Sequence, residues 1–363
     1  MPRLPLIGLF LALATPGPAQ YFSHWGTEQG LHGHATALLK EPGGYLWVAS
    51  QDGLQRWDGE RFKTFRYDPQ DPWSIPHDHV ERMALGADGR LWITSVHGGL
   101  VVFDPMRERF LTWEHLTGNK DPNEGRETGA VHWLPGDSLL VGNGEAELWL
   151  YVASTGRTER LPRFPGHSSI SEFMALPGHP GELLVVARRS VHRLNVRDLT
   201  MLELLSLDPR TVENSPMISA FVDAGGTLWA GTWSGGLIRI DKTYTVRGHH
   251  LPEPDLPVDG SRNIVYAICP GEQGRLLIGT EKGLLELDTT EGTFTHHAFD
   301  ASDPGSMPKG QVFDLLRDDD GVVYIARQNG LSKWDPAENT FQRLRPRNVI
   351  ETRQPRPFIT ACV

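Results

Sequence analysis

Gly44-Tyr45-Leu46-Trp47-Val48-Ala49-Ser50-Gln51-Asp52-Gly53-Leu54-Gln55-Arg56-Trp57-Asp58-Gly59 holds, in order, a turn glycine, a short apolar run, a second glycine turn, a leucine and an acidic stop. The opening glycine and apolar run return six more times, anchored on Gly89, Gly136, Gly181, Gly226, Gly274 and Gly321. Self-similarity at a period of roughly 20–50 residues is the mark of a repeat architecture. Three residues after each glycine stand Trp47, Trp92, Leu139, Leu184, Trp229, Leu277 and Tyr324, followed by Val48, Ile93, Leu140, Val185, Ala230, Ile278 and Ile325. Such β-rich runs bounded by turn residues are strands. Five copies carry the second turn and its leucine (Leu54, Leu100, Leu237, Leu284, Leu331), then an aspartate that can start the next turn, as in Phe103-Asp104 and Leu287-Asp288.

A first strand is expected before each glycine, at Ala35–Leu39, Val80–Leu85, Ile170–Leu176, Ile218–Asp223, Ile264–Cys269 and Val312–Arg317. An outer strand is expected after, at Phe62–Phe65, Phe110–Trp113, Phe294–His297 and Phe341–Leu344. Four antiparallel strands per copy make a propeller blade, and seven copies make an all-β, seven-bladed β-propeller over residues 20–345. The third copy lacks the second glycine turn and the fourth has Ser190-Val191 in its place. Phe22-Ser23-His24-Trp25 reads as an outer strand with no blade before it, able to complete the last blade. Residues 346–363 end in Phe358-Ile359-Thr360-Ala361-Cys362-Val363, which resembles the first strand of a further repeat, so the chain is expected to be the front of a longer protein.

Residues 1–19 read as a signal peptide: Arg3, an apolar stretch from Leu4 to Ala14, and Gly17-Pro18-Ala19 before a cleavage at Gln20. That stretch is shorter than the roughly 20 residues that cross a bilayer, and no later one is apolar enough. The formal charge of −10 argues against nucleic acid, whose binders carry a basic footprint. Cys269 and Cys362 sit at apolar strand positions and are expected to be buried free thiols.

The stretch quoted above and Gly226-Thr227-Leu228-Trp229-Ala230-Gly231-Thr232-Trp233-Ser234-Gly235-Gly236-Leu237 resemble the two-component regulator propeller repeat. So do Glu28-Gln29-Gly30-Leu31 before the first blade and the linkers Asp68–Pro76 and Asp300–Pro308. Trp57-Asp58 and Trp334-Asp335 are not a WD40 signature, because other blades place Phe103, Ile240 or Leu287 before the aspartate and the Gly-His element is missing. The resemblance implies the periplasmic, ligand-sensing half of an inner-membrane receptor, non-catalytic itself. Its parent would be a dimeric sensor histidine kinase or diguanylate cyclase, and its partners the downstream domains.

Strand alternation places the loops between second and third strands on one face with the connections between blades. That face would gather Gln51-Asp52, His97, Arg188-Arg189, Trp233-Ser234, Glu281-Lys282 and Arg327-Gln328-Asn329 with His32, His34, Trp73, His77-Asp78-His79, His167, Ser261-Arg262-Asn263 and Lys309. Aromatic faces and guanidiniums around one mouth suit an oligosaccharide or a carboxylate-bearing small molecule. The residues expected to bind it are Trp233, Arg188, Arg189, His97, Trp73, His77, Arg327 and Gln328, with Trp233 foremost as a large exposed aromatic. His32/His34 and His77/His79 could each share a metal, yet neither pair has a third ligand at a recognised spacing, so no metal or cofactor is expected. No Gly-x-Ser-x-Gly, phosphate loop or kinase motif occurs. Two other readings stand. Leu228–Thr232 also resembles streptogramin-lyase repeats, which would make the chain a secreted propeller lyase or glycosidase with His97 or His77 as base. A scaffold for protein partners is the other.

Overall fold

The computed structural model describes residues 22–335 except 43, 96–97, 119–127, 135, 144–146, 162–168, 177, 209–214 and 254–262. The leader, His97, His167, Ser261, Arg262, Phe341–Leu344 and Cys362 lie outside the described residues. Seven four-stranded antiparallel sheets follow one another, numbered here as blades 1 to 7. Their innermost strands are Ala35–Lys40, Val80–Leu85, Thr128–Trp133, Ile170–Ala175, Met217–Val222, Val265–Pro270 and Val312–Arg317. The seven anchoring glycines all have positive φ, between 76° and 106°, which explains why the period is written in glycine. Two expected strands shift by one residue, to Met217–Val222 and Val265–Pro270. In blade 2 the outer strand is Arg109–Thr112, because Trp113 opens a short helix, Trp113–Thr117.

Ring closure is explicit. Phe22–Trp25 pairs with Gly330–Trp334 as the outer strand of blade 7, with Phe22 opposite Trp334 and Trp25 opposite Leu331. It takes the place that Phe62–Phe65 takes in blade 1: a Cβ on Gly53 would lie 2.3 Å from the Phe65 carbonyl, and one on Gly330 2.4 Å from that of Trp25. Glycine at the second turn therefore lets the outer strand come close.

The apolar core lies between the blades, not at the axis. Among the described residues it divides into seven clusters, each spanning one pair of neighbouring blades. The seventh joins blade 7 to blade 1, with Tyr324, Ala326 and Leu331 against Ala35, Leu46 and Val48. Seven interfaces for seven blades is a closed ring; an open one would have six. The aromatics three residues after the glycine are the wedges, and Trp47, Trp92 and Trp229 are fully buried. Trp47 Nε1 donates to Glu41 (2.7 Å) and Trp229 Nε1 to Asp223 (3.0 Å), so the turn that starts the strand also satisfies its indole. Cys269 is a buried free thiol whose pKa burial pushes up to about 12.

Side chains of the inner strands tie blades together. Thr36, Ser171 and Ser219 donate to the carbonyls of Val80, Met217 and Val265 on the next blade. Glu172 accepts from the Ala220 amide at 2.9 Å, and Asp314 from that of Leu38 at 2.7 Å. Arg82 of blade 2 reaches the Ile218 carbonyl of blade 5 at 3.3 Å, so its guanidinium crosses the channel. Burial pushes Glu172 up to about 7 against the partial relief given by Arg82, and Asp314 up to about 6. A carboxyl raised in the fold costs stability as pH rises from its ordinary value through its folded one. Glu172→Gln keeps the acceptor for Ala220 and removes that cost. Its melting temperature should exceed that of the parent at about pH 8 and match it at about pH 4, which a pH series of thermal melts will read.

Candidate functional site

In all seven blades the innermost strand carries a β-bulge after its first residue, where the extra residue is Thr36, Glu81, Gly129, Ser171, Ile218, Tyr266 or Phe313. A bulge re-aims the side chain it adds. In blades 6 and 7 that side chain is aromatic. The Tyr266 and Phe313 rings meet edge-on, 5.2 Å apart, and the exposed Trp233 of blade 5 stands edge-on to Tyr266 at 6.5 Å. Trp233 keeps half of its surface open to solvent, at 52%.

Around this aromatic arc runs a second ring, seven residues after the anchoring glycines: Gln51, Arg188, Trp233, Glu281 and Gln328. Four of these share one backbone bond, an amide donated to the residue before or beginning the inner strand. Gln51 donates to His34, Arg188 to Ser169, Trp233 to Pro216 and Gln328 to Gln311, at 2.9 to 3.3 Å. Blades 4 and 5 meet here, since Met217 donates to the Arg188 carbonyl at 2.7 Å while Trp233 bonds the preceding Pro216. Glu281 is the polar hub of the arc. One of its oxygens accepts from the Tyr266 hydroxyl (2.7 Å) and the other from the Gln311 side chain (2.5 Å). Burial and that carboxylate hold the Tyr266 phenol well above its usual range, so it stays a donor.

Of the residues expected from sequence, Arg188, Trp233 and Gln328 thus fall on one arc across blades 4, 5 and 7. Arg189 is half-buried and its carbonyl accepts from Leu207 at 2.8 Å. Arg327 turns inward: it is 8% exposed and donates to Ser332 Oγ (2.9 Å) and the Gln328 carbonyl (3.2 Å). Its position, six after the glycine, is where Ser50, Thr232 and Thr280 close the same turn with a buried hydroxyl. Trp73 sits at the outer edge of blade 2, with the Arg109 guanidinium 5.1 Å from its ring and the His115 ring tilted against it at 5.4 Å. His77 accepts the His79 amide on its own Nδ1 at 3.1 Å, and His34 Nδ1 accepts the Asn329 amide at 3.2 Å. No cluster of three or more histidine, cysteine or carboxylate side chains suited to a metal occurs among the described residues.

Tyr266, Phe313 and Gln311 were not singled out by sequence. The signal was there in the column: the bulged position is small or polar in four other blades (Thr36, Glu81, Gly129, Ser171) and Ile218 in the fifth, so a large aromatic at it in two successive blades stands out. A cleft of about 390 Å³ lies away from this mouth, among His132, Trp133, Leu176, His179 and Glu182.

No family model and no curated protein matches the chain. Solved structures do. One is described as the extracellular domain of the hybrid two-component system BT3049 from B. thetaiotaomicron, at 18% identity and TM-score 0.70 over 87% of this chain and 42% of that one. A second, the extracellular domain of BT4673 from the same organism, gives 15% and 0.68 over 86% and 40%. The chain shares the fold of these extracellular domains. It spans about two-fifths of their length, and the likeness agrees with the two-component regulator propeller resemblance of the repeat. Virginiamycin B lyase from Staphylococcus aureus shares the fold too, at 12% identity and TM-score 0.64 over 86% of this chain and 98% of that one. Among the described residues no helix is long and apolar enough to cross a membrane.

The two contrasting side chains make a clean comparison. Trp233→Ala should change stability by no more than about 0.5 kcal/mol, as for exposed positions generally. Arg327→Ala should cost about 2 kcal/mol through lost packing and the lost hydrogen bonds to Ser332 Oγ and the Gln328 carbonyl. Chemical denaturation of the two variants reads both values.

Proposed function

We propose that this chain is the ligand-binding propeller of an exported sensor, non-catalytic itself, and that it takes an oligosaccharide or small acidic molecule at the mouth of blades 4 to 7. The observation that carries the reading is Trp233, half exposed and braced edge-on by Tyr266 beside Phe313. Exposed, pre-oriented aromatic faces suit the apolar faces of sugar rings, and they lose little side-chain entropy on binding. Arg188, exposed next to Trp233, suits a carboxylate or a ring hydroxyl. Glu281 has both oxygens engaged, which favours a role in holding Tyr266 over one in proton transfer.

Signalling by a histidine kinase or diguanylate cyclase parent, dimeric and anchored in the inner membrane with this part in the periplasm, belongs to the same proposal. It is supported by the likeness to extracellular domains of two-component systems. The lyase likeness covers nearly the whole of the lyase chain and keeps an enzymatic reading in view. One experiment separates them. The purified chain is screened on an oligosaccharide array, and the best binder is titrated calorimetrically and assayed for turnover. Binding without turnover is expected, weakened at least about tenfold in Trp233→Ala, as for a buried aromatic anchor. Consumption of the bound compound would replace the sensor reading with the enzyme one, and binding indifferent to Trp233→Ala would move the site elsewhere.

A further inference from the structure

The ring is sealed by one four-residue strand, and two histidines clasp it in surroundings that hold them neutral. His24 lies inside that strand. Arg327 Nε donates to Ser332 Oγ at 2.9 Å, Ser332 Oγ lies 2.9 Å from His24 Nδ1, and His24 Nε2 lies 3.1 Å from the Ser306 carbonyl. A carbonyl only accepts, so Nε2 carries the proton and donates. Ser332, already accepting from Arg327, donates its own proton to a bare Nδ1. Only the neutral Nε2–H tautomer completes this chain. A proton on Nδ1 would set two cationic donors on one serine oxygen, one of them a guanidinium that is 8% exposed and poorly screened. Burial first, and then Arg327, hold the His24 pKa below its usual value, with the Ser306 bond pulling the other way.

His297 of blade 6 grips the other side. Its ring lies 6.0 Å from that of Phe22 and 5.7 Å from that of Trp334, so it packs into the pairing that seals the ring. Its Nε2 is buried with no hydrogen-bond partner among the described residues. Glu286 stands 3.8 Å from that nitrogen, but the carboxylate is shared with Arg275 at 3.5 Å and offers an imidazolium little. Burial, with a lesser push from His296, takes His297 down to about 4. The remaining charged groups at the seam are engaged elsewhere. Asp300 and Asp303 hold their own turns through Ser302 and Gly305, and Lys333 lies 4.0 Å from Asp335. A cavity of about 490 Å³ bordered by Phe22, His297, Glu286 and Ser306 lies along the seam.

We propose that ring closure is an acid-sensitive latch, in which protonation of His24 and His297 releases Phe22–Trp25 from blade 7 while the other blades stay folded. A histidine whose folded pKa is depressed loses stability as pH falls from its ordinary value through the folded one. The channel carboxyls Glu172 and Asp314 respond with the opposite sign over an overlapping range, so whole-molecule melting blurs the effect and a local readout is needed. Release would bare the edge of Gly330–Trp334, an unpaired strand open to another.

Hydrogen exchange with mass spectrometry on the full chain, corrected for intrinsic rates, tests this at about pH 7.5 and about pH 4.5. Protection of the Phe22–Trp25 amides should fall at least about tenfold relative to that of Leu228–Thr232 in the parent, and by less than about twofold in His24→Gln/His297→Phe. Gln keeps both hydrogen bonds of the neutral imidazole, and Phe keeps the aromatic wedge. If the double variant does not fold, His24→Gln alone must reduce the acid-linked loss at least about threefold. Unchanged relative protection in the parent, or an undiminished loss in the variants, overturns the latch.

Discussion

Antiparallel pairing of Phe22–Trp25 with Leu331–Trp334 is the constraint on which the rest depends. Each blade buries its apolar face only against the next one, so six interfaces would leave two blades each with a face in water. The first strand of the described chain supplies the outer strand of the last blade, and residues some 300 apart in sequence are thereby held together. The loop-closure cost of that pairing grows only slowly with length, while the seventh interface it creates buries Leu31, Ala35, Leu46 and Val48. Among the described residues no strand of blade 1 pairs with one of blade 7, so the chain running from this outer strand of blade 7 into blade 1 is what ties the two together.

A closed ring also sets where chemistry can sit. The same bulge recurs at the same place in every blade, and the same backbone bond fixes the loop residue beside it in at least four. The mouth is therefore a regular frame with variable occupants. On blades 4 to 7 those occupants are Arg188, Trp233, Tyr266 with Glu281, and Phe313 with Gln328, whereas blades 1 and 2 offer Thr36, Gln51 and Glu81 at the matching places. Arg82 reaches across the channel to the Ile218 carbonyl beside this frame. Rigid strands carry the contacts, and a binding site built on them needs little ordering when a ligand arrives.

Much of this was legible in the sequence, and the part that was not has a physical reason. The glycine period announced seven blades because each tight turn needs a positive φ, and all seven glycines have one. Trp233 was legible because a large aromatic before a glycine turn has no core to enter. Arg327 looked like its neighbours Gln328 and Asn329, yet it ends a strand, at the position where other blades bury a hydroxyl; the column of the repeat, not the residue type, carries that information. Tyr266 and Phe313 look like ordinary apolar strand residues, and only the bulge turns them to the mouth. Which strand seals the ring also needed coordinates, since Phe22–Trp25 and Phe341–Leu344 both read as outer strands.

The most direct test of the closed ring is a disulfide across its seam. Ser23 and Lys333 are Cα partners in the sealing pair. With Cys269→Ala and Cys362→Ser as background, Ser23→Cys with Lys333→Cys should oxidise to an intramolecular bond, seen as a faster monomer band on a non-reducing gel and as one linked peptide by mass spectrometry. Free thiols, or dimers cross-linked between chains, would contradict closure by this strand and with it the arrangement of the seven interfaces.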